Sequence, residues 1–170
     1  MKRLLILRHA KSSWDHPDLA DIDRPLNKRG LRDAPRMGRW MKQQSLIPDV
    51  IASSPAERAK TTARLAAEAC GYQHPIKQVG DFYGGGPEAY VHWLQGLPED
   101  NRVVLVVGHN PDLETLLNIL TGEVTALPTA ALAEVELNVG RWAALARSPA
   151  GKLLHLWSPK NLPEESPPGS

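Results

Sequence analysis

Four side chains in this 170-residue chain suggest a chemistry that none could perform alone: Arg8, His9, Arg58 and His109. Arginine presents a fixed fork of donors that matches phosphoryl oxygens, and it stays charged at any working pH. A neutral imidazole has a nucleophilic lone pair and can form a phosphoryl-enzyme. Nearby arginines disfavour the protonated ring and help keep it neutral near pH 7. Its second ring nitrogen is expected to donate to a backbone carbonyl, which selects the attacking tautomer. The other cations would stabilise charge on the transferring group. These residue types suit phosphoryl transfer through a histidine.

That chemistry requires elements that bring distant residues together. Arg3 to Leu7 reads as a buried strand, so Arg8 and His9 lie at its carboxyl end. Val50 to Ala52 is a second short strand, and Arg58 falls in the first turn of the following helix. Ser54-Pro55-Ala56-Glu57 has capping-box spacing with proline at the first helical position. The helix is expected from Pro55 to about Ala69, with Gly71 past its end. Arg102 to Val107 is an apolar run rich in valine, fit for the centre of a sheet. His109 follows it, and Pro111 opens a helix with Leu113, Leu116, Leu117 and Leu120 facing the core. In open α/β sheets, ligands bind outside the carboxyl ends of strands near helix N-termini, so the four residues can converge.

The rest of the chain supports the same α/β pattern. Arg8 to Pro25 is a long polar loop, and Asn27 caps a helix running to about Gln44. Leu31, Ala34, Met37, Gly38 and Met41 are expected on its inner face, with a kink at Pro35. Pro75 to Val79 is a weak strand and Glu88 to Leu97 a helix, whereas Ala131 to Leu137 and Lys152 to Trp157 are strands. One domain over residues 1–162 is expected, with residues 163–170 as a flexible tail.

Composition narrows the function. Hydrophobic residues make up 42% and charged residues 23%, which excludes wholesale disorder. Twenty basic residues against nineteen acidic ones give a net charge of +1, which argues against a nucleic-acid or membrane-surface binder. Cys70 is the single cysteine; it excludes an intrachain disulfide or a multi-cysteine metal site and reads as a small buried hydrophobe. The apolar run after Met1 is too short for a signal core, and no stretch approaches the roughly 18 apolar residues of a membrane span. A soluble cytoplasmic protein is expected; its oligomeric state stays open.

Leu7-Arg8-His9-Ala10, Ser53-Ser54-Pro55-Ala56-Glu57-Arg58-Ala59 and Val107-Gly108-His109-Asn110-Pro111, in that order, resemble the histidine phosphatase (phosphoglycerate mutase-like) superfamily. Arg8 to Trp14, Asp23 to Gly30 and Ser158 to Leu162 resemble its SixA-like phosphohistidine phosphatase branch, and the likeness runs from Leu4 to Leu162. The resemblance implies a three-layer αβα sandwich around a mostly parallel sheet. It implies that His9 is the phosphorylated nucleophile and that Arg8, Arg58 and His109 hold the phosphoryl group, with no metal or organic cofactor. Ala10 stands where the family usually has glycine. Many members place a carboxylic acid after the third strand as proton donor; Asp81 or Glu88 lies in that region here, with Asp81 taken as the candidate.

The segment from Gly80 to Pro98 is too short for a large capping insertion. An open mouth and a doubtful acid favour a phosphohistidine-bearing protein as substrate, because imidazole leaves more readily than an alkoxide. A small phosphorylated molecule cleaved by a phosphomonoesterase, or a non-catalytic phosphohistidine-binding module, are the other readings. A metal site built from His9, His109 and an aspartate is disfavoured by the adjacent arginines. Arg24 and Lys28 either extend the positive rim or are plain surface charge, and Trp14 and His16 either line the mouth or pack the loop. Asn110 reads as a helix cap and Gly84-Gly85-Gly86 as a flexible turn.

Overall fold

Leu4 to Leu7 and Val104 to Val107 have no exposed surface, because each of their strands has a partner on both edges and helices over both faces. The computed structural model describes residues 1–165; the remainder of the expected tail, residues 166–170, lies outside the described residues. Its elements in chain order are β1 (Lys2–Arg8), α1 (Lys28–Gln43), β2 (Val50–Ser53), α2 (Glu57–Cys70), β3 (Lys77–Gln78), α3 (Pro87–Gln95), β4 (Val103–Gly108), α4 (Asp112–Thr121), β5 (Leu132–Leu137) and β6 (Gly151–Trp157). The strands form one sheet in the order β3-β2-β4-β1-β5-β6. β1, β4, β2 and β3 run parallel, whereas β5 pairs antiparallel with both β1 and β6.

Alternation along the central strands sends side chains into two separate cores. Leu4, Ile6, Val104 and Val106 pack with Tyr90 and Leu94 of α3 and with Leu113, Leu116, Leu117 and Leu120 of α4. Leu5, Leu7, Leu105 and Val107 pack on the opposite face with Ala34, Met37 and Met41 of α1 and the alanines of α2. The result is the expected three-layer αβα sandwich. In register, Arg8 lies opposite Gly108, and Leu7 and Ser53 both pair around Val107, so the carboxyl ends of β1, β2 and β4 share one edge.

Asn27 does cap α1, its side chain accepting from the Gly30 N–H at 2.9 Å. Leu31 is 50% exposed, against expectation. At about 100° per residue it lies roughly 70° from the centre of the stripe made by Ala34, Met37, Gly38 and Met41, and α2 covers only that stripe. α1 runs on through Pro35 without a break. α2 begins at Glu57 rather than Pro55, for a reason that lies in the site described below. No helix among the described residues is long and apolar enough to cross a membrane.

Gly38 sets the separation of α1 and α2, since a Cβ there would run into the backbone of Ala66. Gly38→Leu is therefore expected to cost about 2 to 3 kcal/mol by overpacking, read as a lowered urea midpoint with unchanged slope.

Candidate active site

Strand ends and first helical turns bring Arg8, His9, Arg58 and His109 together. His9 follows β1; its backbone N–H donates to Gly108 O at 3.0 Å and its carbonyl accepts from Ala130 N–H at 3.0 Å, so β4 and the segment leading into β5 hold it. Its Nδ1 lies 2.8 Å from the Ala10 carbonyl. A carbonyl can only accept, so Nδ1 carries the proton and Nε2 carries the lone pair. The ring is buried, and burial pushes its pKa down to about 3. The Ala10 bond opposes this, while repulsion from His109 when that ring is protonated, and from the charged Arg58 and Arg8, adds to it. The arginines do favour the neutral ring, as expected, but desolvation is the larger cause.

His109 follows β4, where Gly108 leaves room for the Tyr90 hydroxyl. The His9 and His109 rings are 5.2 Å apart, centroid to centroid, and tilted by 50°. Burial first, then Arg58, lowers the His109 pKa to about 4; Asp21 opposes and Arg8 assists. His109 Nε2 sits 2.7 Å from Ser54 Oγ. Ser54 thus faces the site and is not the expected capping-box residue: α2 starts two residues later, at an Ala56 N-cap with no side-chain bond. The Ser54 hydroxyl also accepts from Ala56 N–H, at 3.2 Å.

Arg8 donates through Nη1 to Leu127 O at 3.0 Å, and the Asn110 amide donates to the same carbonyl at 2.9 Å. Asn110 is therefore not the cap of α4, whose N-cap is Pro111. Glu114 accepts from Leu127 N–H at 2.8 Å, which ties this peptide to α4. Arg58 is buried in the first turn of α2. The Thr62 hydroxyl, one turn on, donates to Arg58 O at 2.7 Å and accepts from Ala10 N–H at 3.0 Å. That bridge ties the backbone after His9 to the turn that carries Arg58.

The carboxylate that meets these cations is Asp21, on a 3-10 turn in the long loop. Arg58 donates to Asp21 O at 2.7 Å and to Oδ2 at 3.0 Å, Tyr83 donates to Oδ2 at 2.7 Å, and Arg24 donates to Oδ1 at 3.1 Å. The Tyr83 hydrogen bond, then Arg58 and Arg24, outweigh partial burial and hold the Asp21 pKa at about 2. Only an aspartate in an acid-rich loop pointed to it in the sequence, and nothing local links that loop to α2. Arg24 is buried against Ser12 and Ser13 and lies 3.6 Å from the Trp14 ring centroid, so it braces the loop. Trp14 and His16 border a cavity of about 210 Å³ beside Asp21. Lys28 is exposed.

Asp81 is exposed, and its carboxylate makes no hydrogen bond or ion pair among the described residues. Glu88 pairs with Arg147 at 2.7 Å. Its neighbour Tyr83 is what that segment sends to the site, with the ring edge-on to His109 at 5.6 Å. Arg8 Nε, Arg58 Nε and His109 Nδ1 are buried without a partner among the described residues. Unpaired buried polar atoms cost about 1–3 kcal/mol each, so their clustering at these strand ends marks a site built for a polar ligand.

Strand-end cations around a neutral imidazole, on a doubly covered and mostly parallel sheet, define a phosphoryl-handling α/β enzyme. The chain belongs to the histidine phosphatase superfamily, whose branch 1 profile matches residues 4–82. It is 32% identical over 152 residues to an uncharacterized chloroplastic protein of Arabidopsis thaliana, covering 83% of this chain and 69% of that one. Over 68 residues it is 40% identical to the 2,3-bisphosphoglycerate-dependent phosphoglycerate mutase of Streptomyces avermitilis, covering 39% and 27% of the two chains. Among solved structures it is similar to the protein histidine phosphatase SixA complexed with tungstate, with a TM-score of 0.81, 25% identity and coverage of 94% and 98%. A SixA structure from Agrobacterium tumefaciens gives a TM-score of 0.80 at 27% identity, covering 93% and 98%. Within the superfamily the chain falls in the SixA-like branch, and it is a phosphatase.

Both histidines bind protons less readily when folded than when unfolded, where the pKa is about 6.5. Between pH 6.5 and the folded values the unfolded chain holds more protons, so stability is full above that window and falls as pH drops through it. The Tm of wild type is expected to fall more between pH 7 and pH 4 than that of His9→Gln/His109→Asn, measured by differential scanning calorimetry at both pH values.

Proposed function

We propose that the protein removes phosphoryl groups from phosphohistidine, carried on a partner protein, through a covalent phosphohistidine on His9. The observation that carries this reading is the buried, Nδ1-protonated imidazole of His9, set among Arg8, Arg58 and His109. His9 Nε2 attacks phosphorus as the substrate N–P bond breaks, and the leaving imidazole departs neutral because its other nitrogen is protonated. Arg8, Arg58 and His109 stabilise the charge on the equatorial oxygens. Water then attacks phosphorus, the His9 N–P bond breaks, and inorganic phosphate leaves with the proton that water gave up.

Substrate class follows from acidity. Asp21, the carboxylate nearest the cations, is held ionised and has no proton to give an alkoxide. Asp81, the expected donor, makes no bond that would aim it at the site. Imidazole as leaving group needs no such help, so phosphohistidine is favoured over phosphomonoesters. The tungstate carried by one SixA relative is a tetrahedral oxyanion, which suits a phosphoryl pocket.

His9→Ala is expected to lower turnover of a phosphohistidine peptide by at least about 1,000-fold. Wild type, quenched during turnover, should yield an acid-labile, base-stable phosphoenzyme; comparable rates in the two proteins, or sugar phosphates turned over far faster than phosphohistidine, would overturn the proposal. Asp21 competes with a phosphoryl dianion for Arg58, so Asp21→Asn should tighten product inhibition by inorganic phosphate several-fold. Initial rates at increasing phosphate measure it.

A further inference from the structure

Away from the catalytic cations, four further basic residues meet in one groove. Arg29, Arg32 and Arg36 of α1 line a groove of about 410 Å³ together with Lys160, which follows β6. The one carboxylate in that lining is Asp33, which is buried and pairs with Arg29 at 3.5 Å and with Arg32 at 3.9 Å, leaving Arg36 and Lys160 without a carboxylate from the lining. Arg29, Arg32, Arg36 and Arg39 stand at helical spacings of three, four and three, so they form a single stripe along α1.

The far end of the stripe already holds polypeptide. Arg36 donates to the carbonyls of Pro159 and Pro163 at 3.1 Å each, and Arg39 grips the Glu165 carboxylate with two bonds of 2.6 and 2.7 Å. Extended main chain with an acidic side chain is thus a ligand that this surface accommodates. The near end lies beside the catalytic strand ends. Arg29 reaches Thr129 at 3.5 Å, and the next residue, Ala130, donates to the His9 carbonyl.

We infer that the groove between α1 and the segment after β6 docks an acidic stretch of the phosphorylated partner protein, and so presents the partner's phosphohistidine to His9. This rests on the proposed phosphohistidine-protein substrate. Bidentate arginine–carboxylate pairs supply the recognition, and the charge of the groove speeds encounter at low salt. A small anion would use only part of a surface this long.

The test uses the full chain and Arg32→Glu/Lys160→Glu, two exposed positions outside the catalytic set. A fluorescein-labelled polyglutamate peptide, followed by fluorescence anisotropy, is expected to bind wild type at low salt and to be released as salt rises past the screening range. Binding to the variant should be about tenfold weaker or more, while turnover of an aryl phosphate stays unchanged. Toward a phosphohistidine peptide with an acidic flank, the variant should lose about tenfold in kcat/KM through KM. Equal peptide affinity in both proteins would overturn the inference. So would displacement of the peptide by inorganic phosphate, which would place it in the catalytic pocket, or tighter competition by a single-stranded oligonucleotide than by unlabelled polyglutamate. Lost peptide binding in the variant, with no phosphohistidine peptide turned over by wild type, would support the groove and strike only the substrate reading.

Discussion

Cations crowded at the ends of parallel strands repel one another, and the active-site half of this structure is arranged around that repulsion. Arg8, Arg58, His9 and His109 share one edge of the sheet, and their charges act on one another. The two rings respond by staying neutral, since burial makes a further positive charge there too costly. The two arginines cannot do so and lean on fixed acceptors: the Leu127 carbonyl for Arg8, and the carbonyl and carboxylate of Asp21 for Arg58. The same balance suits the chemistry. A phosphoryl dianion relieves the repulsion, and the neutral His9 has its lone pair ready.

Such crowding is sustainable only on a stiff frame. β1 and β4 are covered on both faces, so neither strand end can relax away from the other. Thr62 couples the Ala10 backbone to the turn bearing Arg58, and the Leu127 peptide couples Arg8, Asn110 and Glu114. Each joint satisfies backbone groups and also sets the aim of a side chain. The loop over the mouth is held differently, by Arg24 inserted between Trp14, the serines and Asp21. Its anchor to α2 is an ion pair with a half-exposed carboxylate, an interaction that an incoming anion can exchange for its own.

Much of this was legible in the residue pattern. Apolar runs ending in Arg-His, Ser-Ser-Pro and Gly-His mark the strand ends, because a strand buried on both faces must be continuously apolar and must stop where polar groups start. The helix start predicted at Ser54 moves to Glu57 because the spacing of a capping box is the same whether its hydroxyl turns to the helix or to a histidine from another strand. Leu31 falls outside the buried face because periodicity gives a stripe but not its width, which the facing helix sets. Asp21 and Tyr83 are out of reach of the sequence, since loop residues gain partners only when two segments meet, and Asp81 is suggested only by its place after the third strand, which does not fix where its carboxylate points.

By itself, the order of residue types determined the α/β class, the four strand-end groups and the phosphoryl chemistry they suit, since these follow from local periodicity and from what arginine and histidine can do. Only the tertiary structure decided which carboxylate faces the cations, which way the Ser54 hydroxyl turns, which tautomer His9 adopts and how the arginines of α1 meet the segment after β6. Each of those is a contact between segments far apart along the chain, and the energy that selects it exists only once the sheet has brought them together.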